Sequence, residues 1–178
     1  KYMENYPESG KDDIINSYIA AAYLLSNDYN SAVLALTKIR ELSDESSSNL
    51  QKAAFFRAMQ LIENKGYRPA VPMLELSIEN GRHDPRLEAL TKYWLAESHF
   101  RNGKYRQATE INLSLMENPH FLDSDQYQTA IYNLAYSYFM WGKFASAQNW
   151  FSKYLATSGR KQFERDARIR LADSYFMQ

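Results

Sequence analysis

Cysteine is absent from the 178 residues, which excludes disulfides, thiolate metal ligands and cysteine nucleophiles and leaves oxidising and reducing compartments equally open. Histidine is scarce, at three residues. No charge of one sign prevails either: 21 Lys and Arg balance 21 Asp and Glu, so no long-range field draws nucleic acid or an anionic membrane surface. No run approaches the roughly 20 consecutive apolar residues needed to cross a bilayer, and Lys1 to Gly10 lacks the apolar segment of a signal peptide. Direct membrane insertion is therefore not expected. Aromatic residues are what the chain has in quantity, 15% with 14 Tyr, and a Tyr ring with its polar tip suits both packing between helices and a wet binding surface.

Internal periodicity organises the rest. Small residues recur as Ala20, Ala58, Ala96, Ala135 and Ala172, at spacings of 38, 38, 39 and 37. A second series, Ala32, Ala70, Ala108 and Ala147, follows the first four members by 12 each time. Three residues before each member of that series stands an aromatic: Tyr29, Tyr67, Tyr105 and Phe144. Within a unit, apolar residues fall at three- and four-residue spacings, as in Ile131, Leu134, Ala135, Tyr138 and Phe139, which predicts helices and not strands. Asn27-Asp28, Lys65-Gly66, Gly103-Lys104 and Gly142-Lys143 break the pattern between paired helices, so each pair must run antiparallel. The paired Ala positions then mark the crossings, because two helices approach to roughly 8–10 Å only where the side chains between them are small. Longer polar connections follow each pair, at 6–13, 43–48, 80–85, 118–124 and 157–161, with Pro7, Pro85 and Pro119 inside them. The expected helices are 12–26, 29–42, 48–65, 67–80, 86–102, 105–117, 124–141, 143–157 and 161–177. In the fourth of these, Pro69 suits the first turn but Pro72 removes a donor, which predicts an irregular turn at 69–72.

These residues resemble the tetratricopeptide repeat (TPR) family. The fourth unit carries the likeness through Leu134, Ala135, Tyr138, Gly142, Phe144, Ala147 and Phe151, and the third through Leu95, Ala96, Gly103, Tyr105, Ala108 and Pro119, with His99 replacing an aromatic. In the first two units Asn27 stands in the Gly position and Arg57 in the Leu position. The resemblance implies an all-α, right-handed superhelix, an α-solenoid of about four and a half repeats at 12–42, 48–80, 86–117, 124–157 and 161–178, forming a single array over 1–178. The longer period and the connector Tyr6-Pro7-Glu8-Ser9 are similar in style to bacterial envelope arrays such as the outer-membrane assembly lipoprotein and the Tol-Pal coordinating protein, which implies the periplasm or cell envelope. Lys1 to Pro7 resembles the end of a second helix, and Arg170 to Phe176 a first helix awaiting its partner. An array needs polar capping repeats at its ends, so the chain is expected to be a segment of a longer one.

Little supports catalysis. His83 and His120 fall in connectors, and His99 takes a packed aromatic's place and is expected in the core. Asp12-Asp13 and Asp123-x-Asp125 sit where helices are expected to start, and capping explains them better than acid–base chemistry. No metal or phosphate motif occurs, so the expectation is no enzyme, no cofactor and no metal. For binding, the resemblance places first-helix positions on a concave surface. One residue after the small Ala come Ala21, Met59, Glu97, Tyr136 and Asp173; three before it come Ser17, Phe55, Tyr93, Tyr132 and Ile169; four after it come Leu24, Ile62, Phe100, Phe139 and Phe176. The implied site is an aromatic groove of Tyr93, Tyr132 and Tyr136 bordered by Glu97 and Arg101, whose composition is that of interface hot spots. Ser17, Ala21, Phe55 and Met59 do not match the carboxylate clamp of the family's chaperone-tail binders. The expected function is a scaffold holding a protein or peptide segment. A glycan-binding module of the cell envelope is the alternative, since Tyr platforms also stack sugars.

Overall fold

Each helix pair turns through the same backbone solution, and that solution explains the constant 12-residue offset between the Ala series. In the computed structural model, which describes residues 11–157 and 162–177, every regular element among the described residues is helical. The elements are α1 (Asp12–Leu25), α2 (Tyr29–Leu36), α3 (Asp44–Glu63), α4 (Tyr67–Glu79), a 3-10 turn (Gly81–His83), α5 (Pro85–Arg101), α6 (Tyr105–Leu115), α7 (Pro119–Leu122), α8 (Tyr127–Met140), α9 (Phe144–Ala156) and α10 (Glu164–Phe176). The expectations placed on Lys1 to Pro7, on the Tyr6-Pro7-Glu8-Ser9 connector and on 158–161 lie outside the described residues.

At the end of α1, α3, α5 and α8 the chain enters the left-handed region for one residue: Asn27 at φ 58°, Lys65 at 59°, Gly103 at 73° and Gly142 at 76°. The next residue's N–H then bonds back to the helix five residues earlier, Asp28 to Tyr23, Gly66 to Leu61, Lys104 to His99 and Lys143 to Tyr138, at 2.8–3.0 Å. These are Schellman caps. The carbonyl of that same residue accepts the first bond of the following helix, from Ala32, Ala70, Ala108 and Ala147 in turn, at 3.0–3.1 Å. One residue thus closes one helix and opens the next, which fixes the distance between the two Ala series.

Lys65 occupies a conformation that costs a side chain with a Cβ roughly 1–2 kcal/mol, whereas the equivalent Gly103 and Gly142 occupy it without cost. Lys65→Gly is therefore expected to raise the midpoint of thermal unfolding, by about 1 kcal/mol of stability after allowing for the extra freedom Gly gains in the unfolded chain. A lowered midpoint would show that the side chain does more there than strain the turn.

All eight crossing residues, Ala20, Ala32, Ala58, Ala70, Ala96, Ala108, Ala135 and Ala147, are fully buried. Ala172 has the same register on α10 but is exposed, since no second helix crosses it among the described residues. Leu at Ala135 or Ala147 is expected to force α8 and α9 apart and cost roughly 1–3 kcal/mol by overpacking. Unchanged melting of both variants would refute the crossing geometry.

Several boundaries differ from the expected ones. α2 stops at Leu36 instead of 42, because the chain tightens into i→i+3 bonds at Lys38 and Ile39, which turn the buried Ile39 into the core. α3 starts at Asp44 and not 48: Ser43 caps it, its hydroxyl accepting from Ser46 N at 3.1 Å, and Asp44 and Glu45 complement the first turn. Most of the expected connector is thus the cap and first turn of a helix. Between 118 and 127 lies the short α7, capped by Asn118, so Asp123 closes α7 as its C-cap and Asp125 precedes the N-cap Gln126 of α8. That pair does not cap α8 as expected. Asp12 and Asp13 do lie in the first turn of α1, where Asp13 also accepts from Arg40 N at 3.2 Å. The irregular turn expected at 69–72 is absent: α4 runs unbroken from Tyr67 to Glu79 with Pro72 inside it.

The chain divides into two compact units, one ending at Glu88 and the other beginning at Ala89. The first is centred on Ala20, Ala32, Leu36, Leu50 and Ala53. Polar bonds tie its connector down, with Gln51 donating to Asp84 O at 3.0 Å and Ser77 to Gln51 O at 2.9 Å. The second contains two adjoining clusters, Ala89, Tyr93, Leu115, Phe121 and Ala130, then Ile131, Ala135, Ala147, Phe151, Tyr154 and Ala167.

Candidate functional site

All five expected site residues fall in the second unit, on two helices whose periodicity sets them in rows. Tyr93, Glu97 and Arg101 succeed one another at four-residue steps along α5, and Tyr132 and Tyr136 do so on α8. Residues four apart share a helix face. Asn133 joins the two rows, its Nδ2 donating to Glu97 Oε2 at 3.4 Å.

Tyr93 does not present a surface. It is 8% exposed, edge-on to Trp94 at 5.3 Å and 6.0 Å from Phe121, and it belongs to the cluster around Leu115 and Ala130. Of the aromatic groove expected from Tyr93, Tyr132 and Tyr136, Tyr93 is the member that lies in the core. Burial, with the Glu97 carboxylate adding to it, pushes the Tyr93 hydroxyl up to about 12. Its folded pKa is thus raised above the ordinary 10.0, so the unfolded chain ionises first. The stability Tyr93 supplies is complete below pH 10 and is lost as pH rises toward about 12. Melting measured from about pH 9 to about pH 12 is expected to fall less steeply in Tyr93→Phe than in the parent. Parallel curves would contradict this.

Tyr132 and Tyr136 are half-buried and stacked, with ring centroids 5.8 Å apart and planes 11° from parallel. Tyr132 also stacks on Phe163 at 4.6 Å and donates its hydroxyl to Asp166 Oδ2 at 2.6 Å. Burial first, and the Asp166 carboxylate second, raise its pKa and keep it a neutral donor. Tyr136 meets Phe139 on one side at 6.2 Å and Phe100 at 5.5 Å. The Arg170 guanidinium lies 5.7 Å from the Tyr136 ring centroid and 5.6 Å from that of Phe139, within cation–π range. Two carboxylates hold it there, Asp166 at 3.7 Å and Asp173 at 3.1 Å. Arg101 is exposed and its Nε donates to Glu97 Oε1 at 2.7 Å. Glu97 and Arg101 thus pair on α5, Tyr132 and Tyr136 stack on α8, Asn133 links the two helices through Glu97, and Tyr93 lies in the core.

Sequence reasoning missed Asn133 and Arg170. Both stand two residues before the repeated small Ala, Ala135 and Ala172, so one more register would have found them. His99 is buried on α5, as expected for a core position. Among the described residues no three His, Asp or Glu side chains stand together as a metal site.

No protein-family model matches the chain, and no curated protein matches it. Solved structures do. The nearly identical TPR-like repeats of a Podosopora anserina protein described as a kinesin light chain match, in a singly substituted form, at 15% identity over 94% of this chain and 87% of that one, with a TM-score of 0.59. A second structure of those repeats matches at 14% identity, over 96% and 88%, with a TM-score of 0.58. The apo form of RapI matches at 15% identity, over 97% of this chain and 74% of its own, with a TM-score of 0.59. Identities this low speak for the fold, and with the capped antiparallel hairpins above they show that this chain has the all-α solenoid fold of TPR-like repeat proteins.

Proposed function

We propose that the chain is a non-catalytic scaffold that holds a protein or peptide segment on the first-helix face of its second unit, along Glu97, Arg101, Tyr132 and Tyr136. One observation carries the reading. Half-buried stacked Tyr rings on α8 are linked through Asn133 to Glu97 on α5, whose carboxylate holds the exposed Arg101, which gives rigid apolar area with a preset polar contact. Such a patch recognises an extended segment through ring contacts and a bidentate Arg. The TPR-like fold supports it, since it sets first helices of successive hairpins side by side. The repeat spacing and the connector Tyr6-Pro7-Glu8-Ser9 lead us to place the protein in a bacterial cell envelope.

Selection of a displayed random-peptide library on the immobilised chain tests the reading. Recovered peptides are expected to bind Arg101→Ala about tenfold more weakly, the loss of one moderate interface contact, while that variant melts as the parent does. Peptides that ignore Arg101, or a library that yields none, would overturn it. Binding to an oligosaccharide array in place of peptides would favour the glycan module.

A further inference from the structure

The hairpin of α8 and α9 sets its charge on indoles. Between Asp125 and Glu164 the sequence contains no Asp or Glu, and the charged residues of the hairpin are Lys143 at the turn and Lys153 on α9. Lys143 Nζ lies 5.4 Å from the Trp141 ring centroid, and Lys153 Nζ lies 4.5 Å from that of Trp150. Both lysines are exposed. Among the described residues neither pairs with a carboxylate, whereas Arg101, Arg106, Arg168 and Arg170 of the same unit each do. Trp141 departs from its register as well. Ser26 and Asn64, which like Trp141 stand six residues after the repeated Ala, turn back on their own helices and donate to Tyr23 O at 3.0 Å and Gln60 O at 2.8 Å. Trp141 lies instead nearly parallel to Tyr138, with centroids 6.3 Å apart and planes at 16°, and is 37% exposed. The hairpin of α5 and α6 is exposed in the registers of the two lysines, at Lys104 and Ser114, although α6 packs against α8 of the hairpin that follows it. This side of a second helix is thus open whether or not a further hairpin follows.

We propose that this side of the hairpin docks an acidic peptide segment, two carboxylates pairing with Lys143 and Lys153 and the chain between them lying against Trp141 and Trp150. It is a second surface, beyond the scaffold reading above, since none of its residues is among Glu97, Arg101, Tyr132 and Tyr136. Charge complementarity names the occupant: the hairpin brings two cations and no anion of its own. A Lys laid over an indole keeps its full charge, and the ring restrains the ammonium, so less side-chain freedom is lost when an anion binds. Ring and Lys stem also give the guest apolar area beside the charge. Lys143, Trp150 and Lys153 follow one another at steps of seven and three, which keeps them on one side of α9. Ten residues of helix separate the lysines by roughly 15 Å, a span that about five residues of extended chain cover. A bilayer surface or a nucleic acid presents a continuous array of charge and draws its affinity from many cations at once. Two lysines match two carboxylates of a short segment.

The three Trp indole N–H signals decide it. The capped peptide Glu-Glu-Leu-Glu-Glu, titrated to millimolar concentration at low salt, is expected to shift Trp141 and Trp150 saturably and to leave Trp94 of α5 in place. Its Gln-Gln-Leu-Gln-Gln counterpart is expected to shift neither, and raising the salt from about 10 to about 150 mM is expected to weaken the Glu peptide severalfold, as the screening length falls from about 30 to about 8 Å. In K143Q/K153Q the shifts are expected to need about tenfold more peptide, while R106Q, whose Arg is already held by Glu110, follows the parent. No saturable shift at Trp141 and Trp150, or equal shifts with the Gln peptide, would overturn the proposal. A stronger response to anionic vesicles or to a single-stranded oligonucleotide, at equal concentration of charge, would overturn the peptide as occupant. Arg101→Ala is expected to bind the Glu peptide as the parent does, so failure of the library selection would sink the scaffold reading and leave this surface standing. The comparison of Glu and Gln peptides needs no variant, so a misfolded K143Q/K153Q does not remove the test.

Discussion

Truncating Phe151 to Ala is expected to destabilise the second unit by about 3–5 kcal/mol, the range for a large aromatic lost from a core. Phe151 is fully buried on α9 and lies edge-on to Tyr132 at 6.1 Å. Its cluster includes Ala135, Ala147 and Ala167. Methyl side chains have no rotamers with which to reach into a vacated space, so these three neighbours cannot close the cavity. Trp94, Trp141 and Trp150 all lie beyond Glu88, so tryptophan fluorescence in urea reports this unit alone. An unchanged midpoint would mean the ring is not packed as described. Phe151→Leu, which keeps most of the volume, is expected to lose less than half as much.

The second large effect has the opposite sign. Pro72→Ala is expected to stabilise the first unit by about 3 kcal/mol, the difference between Pro and Ala inside a helix. Pro72 is the sixth residue of α4, where an N–H would bond the Arg68 carbonyl, and its ring is exposed, so Ala restores a bond and forfeits no packing. Pro69 provides the control. It is the third residue of α4, whose N–H has no partner inside the helix in any case, so Pro69→Ala is expected to change stability little. The first unit contains no Trp, and amide exchange at Leu74 and Leu76 reads its opening. Equal effects at the two prolines would show that helix position is not what sets the cost.

The same helix shows the reach and the limit of sequence reasoning. Tyr67, Ala70 and the Lys65-Gly66 turn are legible because a helix start, a crossing and a Schellman cap each demand a residue type at a fixed offset. Pro72 suggests an irregular turn on the same local grounds, yet the helix runs through it. Solvent can satisfy one exposed carbonyl, and burial of Ala70, Leu74 and Ser77 on the opposite face holds the backbone helical.

By itself, then, the sequence determined that the chain is helical, where the tight turns fall and which small residues face each other across every hairpin. These are local requirements, met by one residue at one position whatever surrounds it. Only the tertiary structure decided the fates of the tyrosines. Tyr93, Tyr132 and Tyr136 are one residue type at related registers, and a ring with a polar tip is suited equally to core and surface. Tyr93 is buried because Phe121, from the unforeseen α7, packs beside it, whereas Tyr132 stays half-buried with its hydroxyl bonded to Asp166 of α10.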